Sequence, residues 1–133
     1  MKLIIFTDGG SRGNPGPAAT GVVIKDTQGK VLAAYGEYLG IQTNNFAEYT
    51  AMISALKKAK DLGADDVACN TDSKLVVEQL NGNWKVKEPT IQKLFVQAYT
   101  AMQAFTTTSL RHVYREDNEE ADAEVNKILD AEQ

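Results

Sequence analysis

The chain has 133 residues, of which 43% are apolar, and its formal net charge is −4 at neutral pH. This length and apolar content predict a single domain over residues 1–133 with a buried core. The negative charge argues against a protein that binds nucleic acid through a basic surface, unless divalent cations reverse the sign of charge at the binding site.

The short N-terminal apolar run and the cysteine content predict a cytoplasmic protein, which we expect to be a monomer. The apolar run at residues 3–6 is too short for a signal peptide or a membrane span, so we expect no membrane partner. Cys69 is the only cysteine, so the chain forms no internal disulfide and offers no cysteine pair to a metal. We expect Cys69 to be a small, buried strand residue.

Hydrophobic periodicity and turn signals predict elements in the order βββαβααβα. In chain order, they cover residues 2–7, 20–25, 30–39, 45–62, 67–71, 73–80, 89–105, 110–114 and 118–129. A Gly/Pro-rich loop is predicted over 9–17, and the turn at 26–29 makes its flanking strands a hairpin. The strand at 67–71 follows a helical crossover and should lie parallel to the first strand. The predicted fold is therefore α/β, a mixed sheet covered by helices.

Four carboxylates stand at the boundaries of different predicted elements, and each has an ordinary structural explanation. Asp8 precedes two glycines and fits a turn. Glu48 follows Asn45 by three residues, which is the spacing of a helix N-cap and its N3 acid. Asp72 precedes a helix and could cap it, and Asp122 lies where acids stabilise a helix start.

The predicted topology brings these acids to one end of the sheet. Adjacent parallel strands would end at Asp8 and Asp72, at the edge where α/β ligand sites form. Glu48 flanks the apolar stripe of its helix, so its side chain should point toward the sheet. Carboxylates this close raise each other's pKa unless a cation lies between them, and Mg²⁺ suits such a pair. The sequence therefore predicts a divalent-cation site.

Four ordered motifs resemble the ribonuclease HI family along almost the whole chain. They are 7–11 (TDGGS) with 13–17 (GNPGP), 43–49 (TNNFAEY), 71–73 (TDS) and 115–122 (REDNEEAD). The run at 75–87 (LVVEQLNGNWKVK) resembles compact archaeal-type and bacterial members that lack a basic handle insertion. The resemblance implies a ribonuclease H-like fold, in which three antiparallel strands and then parallel strands form a five-stranded mixed sheet flanked by helices.

The resemblance also implies a metal-dependent reaction. Asp8, Glu48, Asp72 and Asp122 would bind two Mg²⁺ ions roughly 4 Å apart, with Mn²⁺ able to substitute, and these activate a water and stabilise the leaving 3′ oxygen. The implied activity is endonucleolytic hydrolysis of the RNA strand of RNA/DNA hybrids, which leaves 5′-phosphate and 3′-hydroxyl ends. Double-stranded RNA is a further candidate substrate.

Substrate contacts follow from the same resemblance, because members of the family read the RNA strand through its 2′-hydroxyls. The positions that match RNA-strand contacts are Gly9, Ser11, Asn14, Asn44, Asn45 and Glu48. Thr43 matches part of a DNA-phosphate pocket and Trp84 the aromatic wall of a DNA channel. Because the family's histidine loop is shortened here, Arg115 is expected, in preference to His112, to be the group near the leaving phosphate. Taken alone, Trp84 is better explained as a partly buried core residue.

Three departures from the family pattern affect these expectations. The segment from Trp84 to Pro89 has room for only two basic residues, Lys85 and Lys87, which predicts modest affinity for the hybrid or affinity supplied by a partner. The loop that carries a product-releasing histidine in the family is shortened, and His112 falls in a predicted strand as a structural residue. Tyr114 stands where close relatives often have proline.

Two other classes of function remain open from the sequence. A non-catalytic nucleic-acid-binding module could share the fold, although acids facing phosphates would only weaken its binding. A two-metal transferase or junction resolvase would share the metal ligands, but not the stretches at 9–17 and 44–48 that resemble 2′-hydroxyl readers.

Overall fold

A computed structural model describes residues 1–132. The elements follow the predicted order, with one short 3₁₀ turn added before the last helix. They are β1 (Lys2–Ser11), β2 (Gly16–Lys25), β3 (Val31–Gln42), α1 (Asn44–Asp61), β4 (Asp66–Thr71), α2 (Lys74–Leu80), α3 (Pro89–Met102), β5 (Thr107–His112), the 3₁₀ turn Arg115–Asp117 and α4 (Glu119–Ala131).

The five strands form one mixed sheet in the order β3-β2-β1-β4-β5. The first three strands pair antiparallel, and β4 and β5 continue the sheet parallel to β1. The predicted α/β fold with a five-stranded mixed sheet is thus confirmed, with β1 at the centre of the sheet. Strand β1 pairs with β4 as far as Thr7 and then continues along β2 alone, so Asp8 lies where the pairing with β4 ends.

Two predicted boundaries are wrong in ways that matter for the site. The predicted loop at 9–17 shrinks to residues 12–15, because Gly9, Gly10 and Ser11 continue the antiparallel ladder with β2. Helix α1 begins at Asn44, and its N-cap is Thr43, whose Oγ accepts a hydrogen bond from the Phe46 N–H at 3.2 Å. The spacing of Asn45 and Glu48 predicted Asn45 as the cap, but Thr43, two residues earlier, caps the helix.

The main core lies on the face of the sheet that α1 covers, and α3 packs against α1 there. It is built from apolar side chains of these helices and of β1, β2 and β4, and Leu3, Ile5 and Met52 are each fully buried in it. Cys69 is 1% exposed in β4, as predicted. Among residues 1–132, no helix has both the length and the apolar composition that crossing a membrane requires.

Helix α4 covers the opposite face, and glycines allow it to lie unusually close to the sheet. A Cβ at Gly21 of β2 would overlap the backbone carbonyl of Ala121, and a Cβ at Gly36 of β3 would press on Ile128. Val125 and Leu129 pack against Ala19 from this side. Because glycine has no side chain, Gly21 and Gly36 allow the short distance between α4 and the strands.

Candidate active site

Strand pairing places Asp8 and Asp72 beside each other. Thr7 of β1 pairs with Thr71 of β4 in parallel register, so each acid directly follows one member of this pair. Asp8 is still within β1 and is only 7% exposed, so its interpretation as a turn residue is wrong. Asp72 does not cap α2, because Ser73 does so by accepting from the Val76 N–H. Both carboxylates are therefore available for another role.

Glu48 reaches the same point from α1. Gly9 makes this approach possible, since a Cβ there would overlap the backbone of Ala47 and Glu48. The Gly9 N–H donates to Glu48 Oε1, and it also lies 3.0 Å from Asp8 Oδ1. Glu48 is thus not the N3 acid of a capping box, because α1 begins one residue before the predicted cap. Gly9, which the resemblance matches to an RNA-strand contact, thus packs against α1 and also lines the cleft between the acids.

The carboxylates of Asp8, Glu48 and Asp72 converge. Each offers an oxygen, and these atoms all lie within 4.8 Å of one another. Burial, followed by the charges of Asp72 and Asp122, raises the pKa of Asp8 to about 8. Burial, followed by the charges of Asp8 and Asp72, also raises the pKa of Glu48. Such mutual repulsion is relieved by a divalent cation with a preference for oxygen ligands, so this donor set fits Mg²⁺ or Mn²⁺.

Asp122 joins this group from α4. It lies outside the set of three oxygens above, but it lines the same cleft and its charge is among the causes of the raised pKa of Asp8. Its Oδ2 accepts from Asn126 Nδ2 at 3.3 Å. The start of α4 is tied to β1 by Asn118, whose Nδ2 donates to the Thr7 carbonyl at 2.8 Å. The four predicted acids therefore face one space, Asp8 from β1, Glu48 from α1, Asp122 from α4 and Asp72 from the residue that follows β4.

This space is an open cleft of about 440 Å³. Besides the four acids, the predicted residues that line it are Gly9, Ser11, Asn44, Asn45 and Arg115. Asn44 Oδ1 accepts from both the N–H and the hydroxyl of Ser11, at 2.8 and 3.1 Å, and the Asn44 N–H donates to Asn14 Oδ1 at 3.1 Å. The loop after β1 is therefore bound to the first turn of α1.

The remaining predicted contacts lie around this cleft. Asn14 and Thr43 line a neighbouring cavity of about 420 Å³, which also holds the Glu88 side chain. Hydrogen bonds from the Thr90 and Ile91 N–H groups lower the pKa of Glu88, so an ionised acid faces the predicted DNA-phosphate pocket. Trp84 is 45% exposed on the loop between α2 and α3, so its interpretation as a core residue is wrong.

His112 and two residues that the sequence did not single out complete this description. His112 is exposed at the end of β5, where its ring meets Tyr114 edge-on at 5.9 Å between centroids. Arg12 and Asn126 line the cleft, and Arg12 pairs with Asp130 at 2.6 Å. Asn126 could have been predicted from the sequence, because it follows Asp122 by one helical turn. No sequence pattern indicates that Arg12 pairs with α4.

Comparison with known proteins agrees with this geometry. A family model described as reverse transcriptase-like matches residues 6–128. The ribonuclease HI of Halobacterium salinarum is 45% identical over 129 residues, which are 97% of this chain and 65% of that protein. The crystal structure of RNase H1 from the same organism superimposes with a TM-score of 0.96 at 43% identity, covering 98% of this chain and 99% of that one.

A further solved structure was determined with nucleic acid. LC11-RNase H1 in complex with an RNA/DNA hybrid has a TM-score of 0.92 at 41% identity, and the match covers 98% of this chain and 99% of that chain. The fold and the site define a protein of the ribonuclease H class. This chain belongs to the ribonuclease HI family. It spans just under two thirds, 65%, of the length of the Halobacterium relative.

Proposed function

We propose that this chain is a metal-dependent endonuclease that hydrolyses the RNA strand of RNA/DNA hybrids and leaves 5′-phosphate and 3′-hydroxyl ends. The observation that carries the proposal is the convergence of the Asp8, Glu48 and Asp72 oxygens within 4.8 Å at the end of a buried strand. Support also comes from a relative that was solved in complex with such a hybrid. We place the enzyme in the cytoplasm as a monomer.

In the proposed reaction, the chain's own residues hold and orient the reacting groups. Asp8, Glu48, Asp72 and Asp122 would hold two Mg²⁺ or Mn²⁺ ions, which supply an activated water and charge stabilisation for the leaving oxygen. Gly9 keeps Glu48 in place through its N–H, and Asn126 orients Asp122. Arg115 lines the cleft as a cation for the phosphate that is released.

Selection of the RNA strand would depend on polar groups beside the acids. Because Asn44 Oδ1 accepts from Ser11, the Asn44 amide nitrogen is the group that can donate to a 2′-hydroxyl. Asn45 is exposed in the same cleft and offers both a donor and an acceptor. A DNA strand lacks the 2′-hydroxyl and would leave these groups without a partner.

The test is cleavage of one labelled sequence prepared as RNA/DNA, RNA/RNA and DNA/DNA duplexes, with Mg²⁺, with Mn²⁺ and with a chelator. We expect metal-dependent cleavage of the RNA strand of the hybrid, and we expect Asp72→Asn to reduce turnover to the background level because a ligand is lost. Asp66→Asn is a matched control, since Asp66 lies at the opposite end of the same strand. Activity of Asp72→Asn without metal would refute the proposal. Preferential cleavage of the RNA/RNA duplex would mean that double-stranded RNA, and not the hybrid, is the substrate.

A further inference from the structure

A buried hydrogen-bond chain connects α1 to the loop between α2 and α3. The Tyr49 hydroxyl donates to Gln79 Oε1 at 2.6 Å, and Gln79 Nε2 donates to the backbone carbonyl of Lys85 at 3.2 Å. Tyr49 is fully buried and Gln79 is 6% exposed. Helix α1 is therefore joined, through one side-chain amide 30 residues later in the sequence, to the loop that directly follows α2.

This pair of hydrogen bonds requires an amide side chain at position 79, because the residue must both accept and donate. A phenol hydroxyl that donates to Oε1 leaves Nε2 as the donor for a second acceptor, and the Lys85 carbonyl is that acceptor. An apolar side chain would fill the same volume without the desolvation penalty of a buried polar group. What the glutamine adds is the connection to the loop.

The loop that receives this hydrogen bond exposes groups suited to nucleic acid. Trp84 is 45% exposed, and Lys85 and Lys87 are exposed beside it. Within the described chain, neither lysine forms an ion pair. An exposed aromatic ring with adjacent cations can stack on a base or sugar and meet a phosphate. The loop itself, residues 81–88, contains no helix or strand.

We propose that Gln79, oriented by Tyr49, is a positioning residue that fixes Trp84 and Lys85 relative to the helix that carries Glu48, so that the loop meets a nucleic-acid duplex in one conformation. Tyr49 directly follows Glu48 in α1, so the same helix turn supports both the acid and the loop. Binding then avoids the entropic penalty of ordering the loop. The identity of the duplex rests on the proposed function, whereas the order of the loop is measurable without substrate.

Trp84 is the only tryptophan, so its fluorescence reports on the loop alone. Gln79→Met keeps the length of the side chain and removes both hydrogen bonds. We expect it to raise the acrylamide quenching constant of Trp84 about twofold or more and to lower the fluorescence anisotropy, and we expect a smaller change in the same direction for Tyr49→Phe. Tyr35→Phe is the matched control, because it removes a 2.8 Å tyrosine hydrogen bond to Ser54 elsewhere on α1.

Kinetics separate positioning from chemistry. We expect Gln79→Met to raise the KM for hybrid cleavage about threefold to tenfold, an effect of the size of the one hydrogen bond that reaches the loop, with kcat within about twofold of the wild type. Unchanged quenching of Trp84 in a folded Gln79→Met, or a lower kcat at constant KM, would overturn the inference. If Gln79→Met does not fold, Tyr49→Phe decides, because it removes a single oxygen.

Failure of the two proposals is distinguishable. A wild-type protein that cleaves no hybrid would refute the proposed function, and the quenching experiment would still decide whether Gln79 fixes the loop. Titration of a labelled hybrid into Asp72→Asn, with and without Gln79→Met, then measures the effect on duplex binding without turnover. Equal affinities of the two proteins for the hybrid would also contradict the inference.

Discussion

At the scale of single residues, Asn118 holds the beginning of α4 against the end of β1 that carries Asp8. Its side chain donates to the Thr7 carbonyl, and its backbone carbonyl accepts from the Asp122 N–H at 3.1 Å. Its Oδ1 is buried and has no hydrogen-bond partner among the described residues. An unpaired buried acceptor lowers the free energy of unfolding by about 1–3 kcal/mol. The two hydrogen bonds that Asn118 does make must therefore stabilise the fold, or the site, by more than this amount.

We expect Asn118→Ala and Asn118→Leu to lower hybrid cleavage strongly, because both variants release the start of α4 and with it Asp122. Both variants remove the unpaired oxygen, but only leucine fills the cavity, so Asn118→Leu should be the more stable of the two by about 1–2 kcal/mol in urea denaturation.

The control for Asn118 is Asn70→Leu. Asn70 is also a buried asparagine whose Nδ2 donates to a β1 carbonyl, that of Ile5 at 3.1 Å. This carbonyl is two residues farther from Asp8 than that of Thr7, and Asn70 makes no hydrogen bond to α4 in the part of the chain that the structure describes. Asn70→Leu should therefore retain more activity at a similar stability. Full activity in both Asn118 variants would rule out a positioning role for this residue.

At the scale of elements, hydrophobic periodicity and turn signals predicted the order of strands and helices and the direction of β4. The end of β1 was not predictable, because Gly9 and Gly10 favour a turn locally and only pairing with β2 extends the strand. The predicted cap of α1 is wrong for a different, local reason, since two residue types with cap propensity, Thr43 and Asn45, are two positions apart. Local propensity predicts the end of a strand poorly where pairing with a strand distant in sequence determines it.

The four acids were predictable from motifs and topology, but the groups that hold them were not. The Gly9 to Glu48 hydrogen bond spans 39 residues, and the Asn118 to Thr7 bond spans 111. The Arg12 to Asp130 pair spans 118. No periodicity in a sequence encodes such distances, so these contacts become visible only in the folded chain.

The packing of α4 on β2 yields a prediction for this element. Gly21→Ala should lower the free energy of unfolding by about 2 kcal/mol or more, because the new Cβ overlaps the Ala121 carbonyl and neither backbone can yield easily. Gly10→Ala is the matched control, since its Cβ would lie 3.5 Å from a Val125 methyl, an ordinary contact. Urea denaturation measures both. Equal stability of the two variants would show that α4 can move away from the sheet without penalty.

At the scale of the whole molecule, the net charge of −4 and a nucleic-acid substrate are compatible if the acids in the cleft hold metal. Two bound divalent cations would bring the formal charge from −4 to zero and would place the positive charge where a phosphate must bind. The same crowding of acids destabilises the protein when metal is absent. Stability and metal binding are therefore linked through the cleft.

This linkage sets the pH dependence of stability. The pKa of Asp8 is raised from 3.8 to about 8 by burial and by its acidic neighbours, so between these values the folded protein binds a proton that the unfolded chain has lost. A rise in pH across this interval therefore favours unfolding. We expect the metal-free protein to lose on the order of a few kcal/mol of unfolding free energy between pH 5 and about pH 8.

Urea denaturation in a chelator at several pH values tests this expectation. Asp8→Asn should flatten the dependence and be the more stable protein near pH 8, whereas Asp66→Asn, at the far end of β4, should behave as the wild type. Added Mg²⁺ should stabilise the wild type more at pH 8 than at pH 5, because its ligands must be ionised to bind it. Metal-free stability that rises toward pH 8 would mean that the acids do not repel one another, and the argument for a metal between them would lose its physical basis.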